Sequence, residues 1–363
     1  MFINILNNIL AYKYYLNNNK YEATLEKIGV AQWGTKHGHA KGWLDLLTDS
    51  NKIDFKGLYE PDIKRKETLT NSNDLTWKTV NWIDNFEKIL SDKKIKIIFI
   101  EESNNKSLEV LEKCIKHNKN VMLDKPAGNN FNNFKSLAKL ASEKKLIIEL
   151  GYMFRQHEGF KKIATWAKNG NLGKIFMIRA HMSTNLPEYN EANNNISRSG
   201  LSKYKGGVFY DLAGHMIDQI CWIQGRPQKI KSFFMNSDSK NKDFSDNTIS
   251  IFEYDSAMTI IDIAAMETKP MARRFEVYGS KGSAIMEPFE PAKSIRLTLE
   301  EPFERYATGE NIVKIKDVPR YDVPFELFID RVINNSKPVR SLDHEILVQE
   351  TLMRATGAID EKI

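Results

Sequence analysis

The sequence predicts two domains of different architecture: an α/β domain on a parallel sheet, then an α+β domain with a large, mostly antiparallel open sheet. Three observations predict this. The chain has 363 residues, enough for two domains at roughly 150 residues each. As far as Leu150, short apolar runs alternate with segments of helical period, as in a doubly wound parallel sheet. Beyond Gly151 come longer alternating segments separated by turn residues, as in antiparallel pairing.

The elements follow in order. Residues 1–26 are expected to be an extension, either a short surface helix or a disordered tail, with neither the basic start nor the cleavage site of a signal peptide. The α/β domain spans 27–150. Ile28–Ala31 is a buried strand, Gly34 and Gly38 lie in the turn after it, and Trp43, Leu46 and Leu47 mark one helix face. Phe55–Glu60 is the second strand, ended by Pro61. Ile95–Ile100 and Val121–Leu123 are further strands, separated by a helix carrying Leu108, Leu111 and Ile115. A helix over Phe134–Lys144 and a strand over Leu146–Leu150 complete the domain. In the second domain, 151–363, a helix covers Gly159–Ala167. Strands cover Lys174–Met182, Ile249–Tyr254, Met258–Ala265 and Arg274–Tyr278, and helices cover Pro324–Asn334 and Leu342–Ile359.

Composition narrows the function. Apolar residues are 41% and charged residues 28%, which excludes wholesale disorder. The net charge of +6 is dispersed, so no nucleic-acid partner is expected. No apolar run reaches the roughly 18 residues of a membrane span. Cys114 and Cys221, far apart, fit a reducing, cytoplasmic setting and make no Cys-rich zinc site alone.

Three segments can carry chemistry. A dinucleotide fold needs glycine after its first strand, for close approach of backbone to pyrophosphate, and an acid ending the second strand, for the ribose hydroxyls. Gly34, Gly38 and Glu60 stand there, although Gln32 occupies the place of the first glycine. Glu60 would repel a 2′-phosphate and favour NAD; Lys64 and Arg65 keep NADP possible. An ordinary strand–helix turn is the alternative. Lys125, in Asp124-Lys125-Pro126, follows a parallel strand and would point into the ligand crevice, unless it is a solvated lysine before a turn. In Gly206–Asp218, Asp211 and His215 are i and i+4 on a helix, and Asp218 follows three residues later. Histidine suits proton transfer near neutrality; the pair also serves as a plain helix-stabilising contact. One histidine with two aspartates is a poor metal set, and no metal is expected.

Together these segments resemble the Gfo/Idh/MocA family of glucose–fructose oxidoreductase and inositol dehydrogenase-like enzymes. VMLDKPA (121–127) is similar to the family's V-x-x-E-K-P segment, GYMFR (151–155) to the segment after its last nucleotide-domain strand, and Gly206–Asp218 to its G-G…D…G-x-H-x-x-D helix. The resemblance covers about Lys27–Ile359. It implies a Rossmann-like NAD(P) domain and a sheet domain that joins subunits into a homodimer or homotetramer. It implies hydride transfer at a sugar or polyol carbon. Lys125 would contact the reacting hydroxyl and help, with Pro126, to place the nicotinamide. His215 would be the acid/base, Asp211 would orient His215 or substrate, and Tyr152 and Arg155 would wall the substrate site. Gln32 and Glu101-Glu102 depart from the family pattern at the cofactor end. The alternatives are an NAD-dependent glycosidase or lyase with transient oxidation, and a non-enzymatic nucleotide or sugar sensor.

Overall fold

Five parallel strands, β1 (Ile28–Trp33), β2 (Ile53–Tyr59), β3 (Ile95–Ile100), β4 (Asn120–Leu123) and β5 (Ile148–Leu150), form the first sheet, in the order β2-β1-β3-β4-β5. The computed structural model describes residues 27–316 and 318–360, so the expected extension at 1–26 lies outside the described residues. Helices α1 (Ala40–Asp49), α2 (Ile63–Thr70), α3 (Leu75–Thr79), α4 (Phe86–Ser91), α5 (Asn104–Lys116) and α6 (Phe131–Glu143) fill the connections. Ile97, Ile98 and Phe99 are fully buried, as a central parallel strand covered on both faces requires.

The second sheet has eight strands in the order β13-β12-β11-β10-β6-β9-β8-β7. They are β6 (Ile175–His181), β7 (Lys229–Met235), β8 (Asn247–Glu253), β9 (Met258–Ala264), β10 (Arg274–Gly279), β11 (Gly282–Met286), β12 (Ser294–Leu299) and β13 (Gly309–Lys314). Its neighbours pair antiparallel except β6 with β9. Helices α7 (Glu158–Lys168), α8 (Arg198–Leu201) and α9 (Val208–Gln224) belong to this part of the chain. α9 begins at Gly206-Gly207, both at positive φ. A Cβ on Gly207 would stand 2.5 Å from Ser245 O, so glycine alone allows the backbone to pass there.

The last helices, α10 (Asp322–Asn334) and α11 (Leu342–Ala355), return to the first sheet. Phe325, Phe328 and Ile329 of α10 share a core with Val30, Trp43 and Phe99. From α11, Gln349 accepts from Ala127 N at 3.1 Å and donates to Gly128 O at 2.9 Å. These bonds pin the loop that carries Lys125.

The predicted class and strand alternation are both present. Several boundaries are corrected. β1 runs on through Gln32 and Trp33, because both register with β2 and β3. Leu146 and Ile147 precede β5, whose register with β4 begins at Val121 opposite Ile148. The last helix stops at Ala355, where Thr356 caps it and Gly357 adopts positive φ. Strands β7, β12 and β13 and the short helices α2–α4 were not anticipated. β13 is a short edge strand with one buried residue, where patterning is weakest.

Candidate functional site

A cavity of about 210 Å³ opens at the carboxyl ends of β1, β3 and β4, under the N-terminal half of α9. This is the crevice where open parallel sheets take ligands. Lys36, His37, Gly38 and His39 line it from the turn after β1; Ser103, Asn104 and Lys125 from the turns after β3 and β4; Asp211 and His215 from α9; and Arg273 and Arg320 from the far rim.

Lys125, Asp211 and His215 converge here. Lys125 is buried and its Nζ donates to Asp211 O at 2.8 Å and to Asp211 Oδ1 at 3.2 Å. The expected support of His215 by Asp211 is thus replaced. The Lys125 loop reaches the first turn of α9 and binds the Asp211 carbonyl and one of its carboxylate oxygens. The His215 imidazole is also buried, and its Nδ1 has no hydrogen-bond partner. Burial, reinforced by the Lys125 ammonium, holds its pKa well below that of an ordinary histidine. It is therefore a neutral imidazole at pH 7. Phe154 and Tyr152 pack edge-on against it, with ring centroids 5.2 and 5.8 Å away.

Tyr152 and Arg155, expected as substrate walls, do not line this cavity. Tyr152 lies behind His215 against Gly214, where an added Cβ would stand 3.0 Å from its hydroxyl. Arg155 is held by Asp218 and Glu345, with bonds of 2.6–3.1 Å. Asp218 likewise belongs to that buried network and not to the cavity.

At the cofactor turn, Gly34 has φ +84°, and a Cβ there would lie 3.0 Å from the Glu101 backbone. Only glycine keeps β1 and β3 this close. Gln32, in the place of the missing glycine, braces the turn: its Nε2 donates to Gly34 O at 3.1 Å and Ala40 O at 3.3 Å. Glu60 ends β2 and accepts from Thr35 N at 2.9 Å, Thr35 Oγ1 at 2.6 Å and Asp62 N at 3.0 Å. Burial raises its pKa. Arg65 reaches the same place, donating from Nε to Thr35 Oγ1 at 2.6 Å. Gly38 lines the cavity directly, and Pro126 turns the loop behind Lys125, its carbonyl accepting from Gly128 N at 2.8 Å. The tight glycine turn after β1 fits a dinucleotide fold, although Gly34 N, Thr35 N and His37 N already donate to Tyr59 O, Glu60 Oε2 and Glu101 O.

The sequence reading overlooked a second cluster on the cavity floor. His37, His39, Asp124 and Glu101 meet where the turn after β1 crosses the ends of β3 and β4. Burial lowers the pKa of His37, but Asp124 and Glu101 outweigh it and raise the value to about 10. His37 Nδ1 stands 3.2 Å from both Asp124 Oδ2 and His39 N. With the carboxylates beside it the proton belongs on Nδ1, so the contact with His39 N is not a hydrogen bond. Burial takes His39 down to about 4 despite Asp124, with the charges of His37 and Lys125 adding to the fall. Glu101 is raised well above the carboxylate range by burial and by Asp124, whereas His37 holds Asp124 well below it despite burial. The signal that could have found this cluster was His37-Gly38-His39 in a ligand-binding turn, with Glu101 ending β3.

Comparison with known proteins agrees with this architecture. Residues 28–152 match the family model for the oxidoreductase family with an NAD-binding Rossmann fold, and residues 160–285 match the GFO/IDH/MocA C-terminal domain. The oxidoreductase YhhX of Escherichia coli is 24% identical over 57% of this chain and 57% of its own length. The chain thus spans little more than half of that relative. Myo-inositol 2-dehydrogenase of Thermotoga maritima is 22% identical over 70% of this chain and 72% of its own. Among solved structures, GenD2 from gentamicin A biosynthesis, in complex with NAD, superposes with a TM-score of 0.73 at 17% identity, covering 92% of this chain and 95% of that one. An oxidoreductase from Desulfitobacterium hafniense reaches 0.76 at 17% identity, covering 93% and 96%. With both domain models matched in order over more than half of its length, this chain belongs to the Gfo/Idh/MocA oxidoreductase family and carries that family's NAD-binding Rossmann domain.

Proposed function

We propose that the protein oxidises or reduces a carbon–oxygen centre of a sugar or polyol, using NAD. The observation that carries this reading is the convergence of Lys125, Asp211 and His215 on one cavity at the carboxyl edge of the sheet. Bound nicotinamide supplies the hydride acceptor or donor. The backbone from Gly34 to Gly38 would hold its pyrophosphate, and Glu60 the adenine-side ribose.

In the oxidation direction the substrate C–H leaves as hydride and the O–H proton passes to His215. A neutral imidazole is the form able to accept it. The Lys125 ammonium stabilises negative charge developing on the oxygen, and Asp211 fixes that ammonium by two hydrogen bonds. Phe154, Met153 and Leu212 give the cavity apolar walls that exclude water. Inositol dehydrogenases among the relatives support a polyol as the substrate class. Assembly into a homo-oligomer is supported by the outer face of the second sheet, where Phe233, Met235, Met258 and Ile312 are exposed.

The test is a nicotinamide-coupled assay at 340 nm over a panel of polyols and sugars, preceded by NADH and NADPH titrations. Lys125→Met and His215→Asn should each lower turnover at least about 100-fold while melting like the parent. Wild-type turnover in both would overturn the assignment. Glu60→Ser removes the carboxylate but leaves Arg65. It should shift the ratio of NADH to NADPH affinity at least about tenfold toward NADPH. An unchanged ratio in fluorescence titrations would remove Glu60 from the ribose site.

A further inference from the structure

We propose that His37, His39 and Asp124 bind a divalent transition-metal ion of the zinc class on the cavity floor, with Glu101 facing the ion from β3. One donor atom from each of the three lies within 4.8 Å of the others. The key contacts are shorter still: His39 Nδ1 is 3.0 Å from both Asp124 oxygens, and His37 Nδ1 is 3.2 Å from Asp124 Oδ2. A tetrahedral zinc ion with bonds of roughly 2.0–2.1 Å sets neighbouring ligand atoms about 3.3 Å apart. Both histidine–carboxylate contacts already stand near that spacing, so an ion could replace the protons between them. Two imidazoles and a carboxylate suit zinc-class ions better than magnesium or calcium, which prefer all-oxygen sets.

Glu101 is the independent observation. Its side chain is fully buried, and neither carboxyl oxygen has a hydrogen-bond partner. Oε2 lies 3.5 Å from His37 Nδ1. A buried carboxyl without partners is costly, and a cation between His37 and Asp124 would give it one. The primary carboxylate is already braced from behind. Trp43 Nε1 donates to Asp124 Oδ2 at 3.1 Å, and Lys125 N donates to Asp124 Oδ1 at 2.7 Å. Such outer bonds orient metal ligands. The ion would border the cavity that holds His215, whose ring centroid is 6.3 Å from that of His39.

The experiment uses the full chain, freed of metal with a chelator and kept without nucleotide. Co²⁺ titration should give saturable visible d–d absorption at one equivalent, displaced by Zn²⁺, and dialysis with elemental analysis should return one zinc per chain. His39→Gln should abolish the signal, and Glu101→Gln should weaken binding at least about tenfold. His181→Gln, altering a histidine held by Asp262 and Glu267 elsewhere, should leave it intact. Thermal melts identify any variant that has not folded. Absence of saturable Co²⁺ absorption, or equal affinity in folded His39→Gln and Glu101→Gln, overturns the proposal. The proposal does not depend on the oxidoreductase reading, and NADH titration of the same samples separates the two. Nucleotide binding without metal sinks only the metal site, and metal without nucleotide sinks only the oxidoreductase reading.

Discussion

Two buried ionic clusters flank the Lys125 loop, and they differ in how fully their hydrogen bonds are made. In the cluster around Asp218, every carboxylate oxygen is used. Asp218 Oδ1 accepts from Arg155 and His344, and Oδ2 accepts from Arg340 at 2.6 Å and from Gln219 at 3.0 Å. Glu345 takes two bonds of 2.6 Å from Arg155. In the cluster around Asp124, Glu101 makes no hydrogen bond and two histidines compete for one carboxylate. A saturated network ties elements together and has no capacity left for a ligand. An unsaturated one, facing a cavity, keeps that capacity.

The saturated cluster should therefore break hardest. Arg155 joins the segment after β5 to α9 and α11. Arg155→Met removes the guanidinium that Asp218 and Glu345 share, and removing one partner of such a network costs about 3–5 kcal/mol. Urea unfolding would read this as a shift in midpoint at constant slope. A loss below about 1 kcal/mol would mean that the network contributes little and that the contrast between the clusters is false.

The same network sets an acid limit on stability. Burial pushes the pKa of Asp218 up, but Arg155, Arg340 and His344 outweigh it, so the folded value lies well below the ordinary one. A depressed folded pKa contributes stability that is fully present above the unfolded value near 3.9. That stability is lost as pH falls from there toward the folded pKa. Asp218→Asn should thus be less stable than the parent at pH 7, and the gap should narrow steadily below about pH 4. A gap that stays constant down to pH 2 would separate Asp218 from this acid dependence.

The contrast also marks how far the sequence could be read. Lys125, Asp211 and His215 were legible because each sits in a local pattern: the end of an apolar strand before proline, and a helix repeat after two glycines. Their meeting in one cavity follows from the strand alternation. The two ionic clusters were not legible in the same way. The resemblance of residues 151–155 to the family segment places Arg155 at the substrate, yet its partner Glu345 arrives 190 residues later on α11. Nothing near Arg155 in sequence announces that return. His37, His39, Asp124 and Glu101 come from three separate strand ends, so only the parallel order β1-β3-β4 brings them together. Asp211 shows the limit of helix spacing as an argument. Its i+4 relation to His215 is real, but the Lys125 ammonium, from another element, is the partner it takes.

The smallest effect should come from the residue with the least to lose. Glu101→Gln keeps the shape of a fully buried side chain and removes no hydrogen bond, because neither oxygen makes one. The contact with His37 at 3.5 Å and the repulsion from Asp124 are what it alters. Its unfolding free energy in chelator should therefore stay within about 1 kcal/mol of the parent, in either direction, as for substitutions that break no made interaction. A loss as large as that of Arg155→Met would show that Glu101 already completes its network, and the unsaturated cluster would then be scaffold like the other. A near-neutral result, beside a large loss at Arg155, would separate a carboxyl group that builds the fold from one held in reserve beside the cavity.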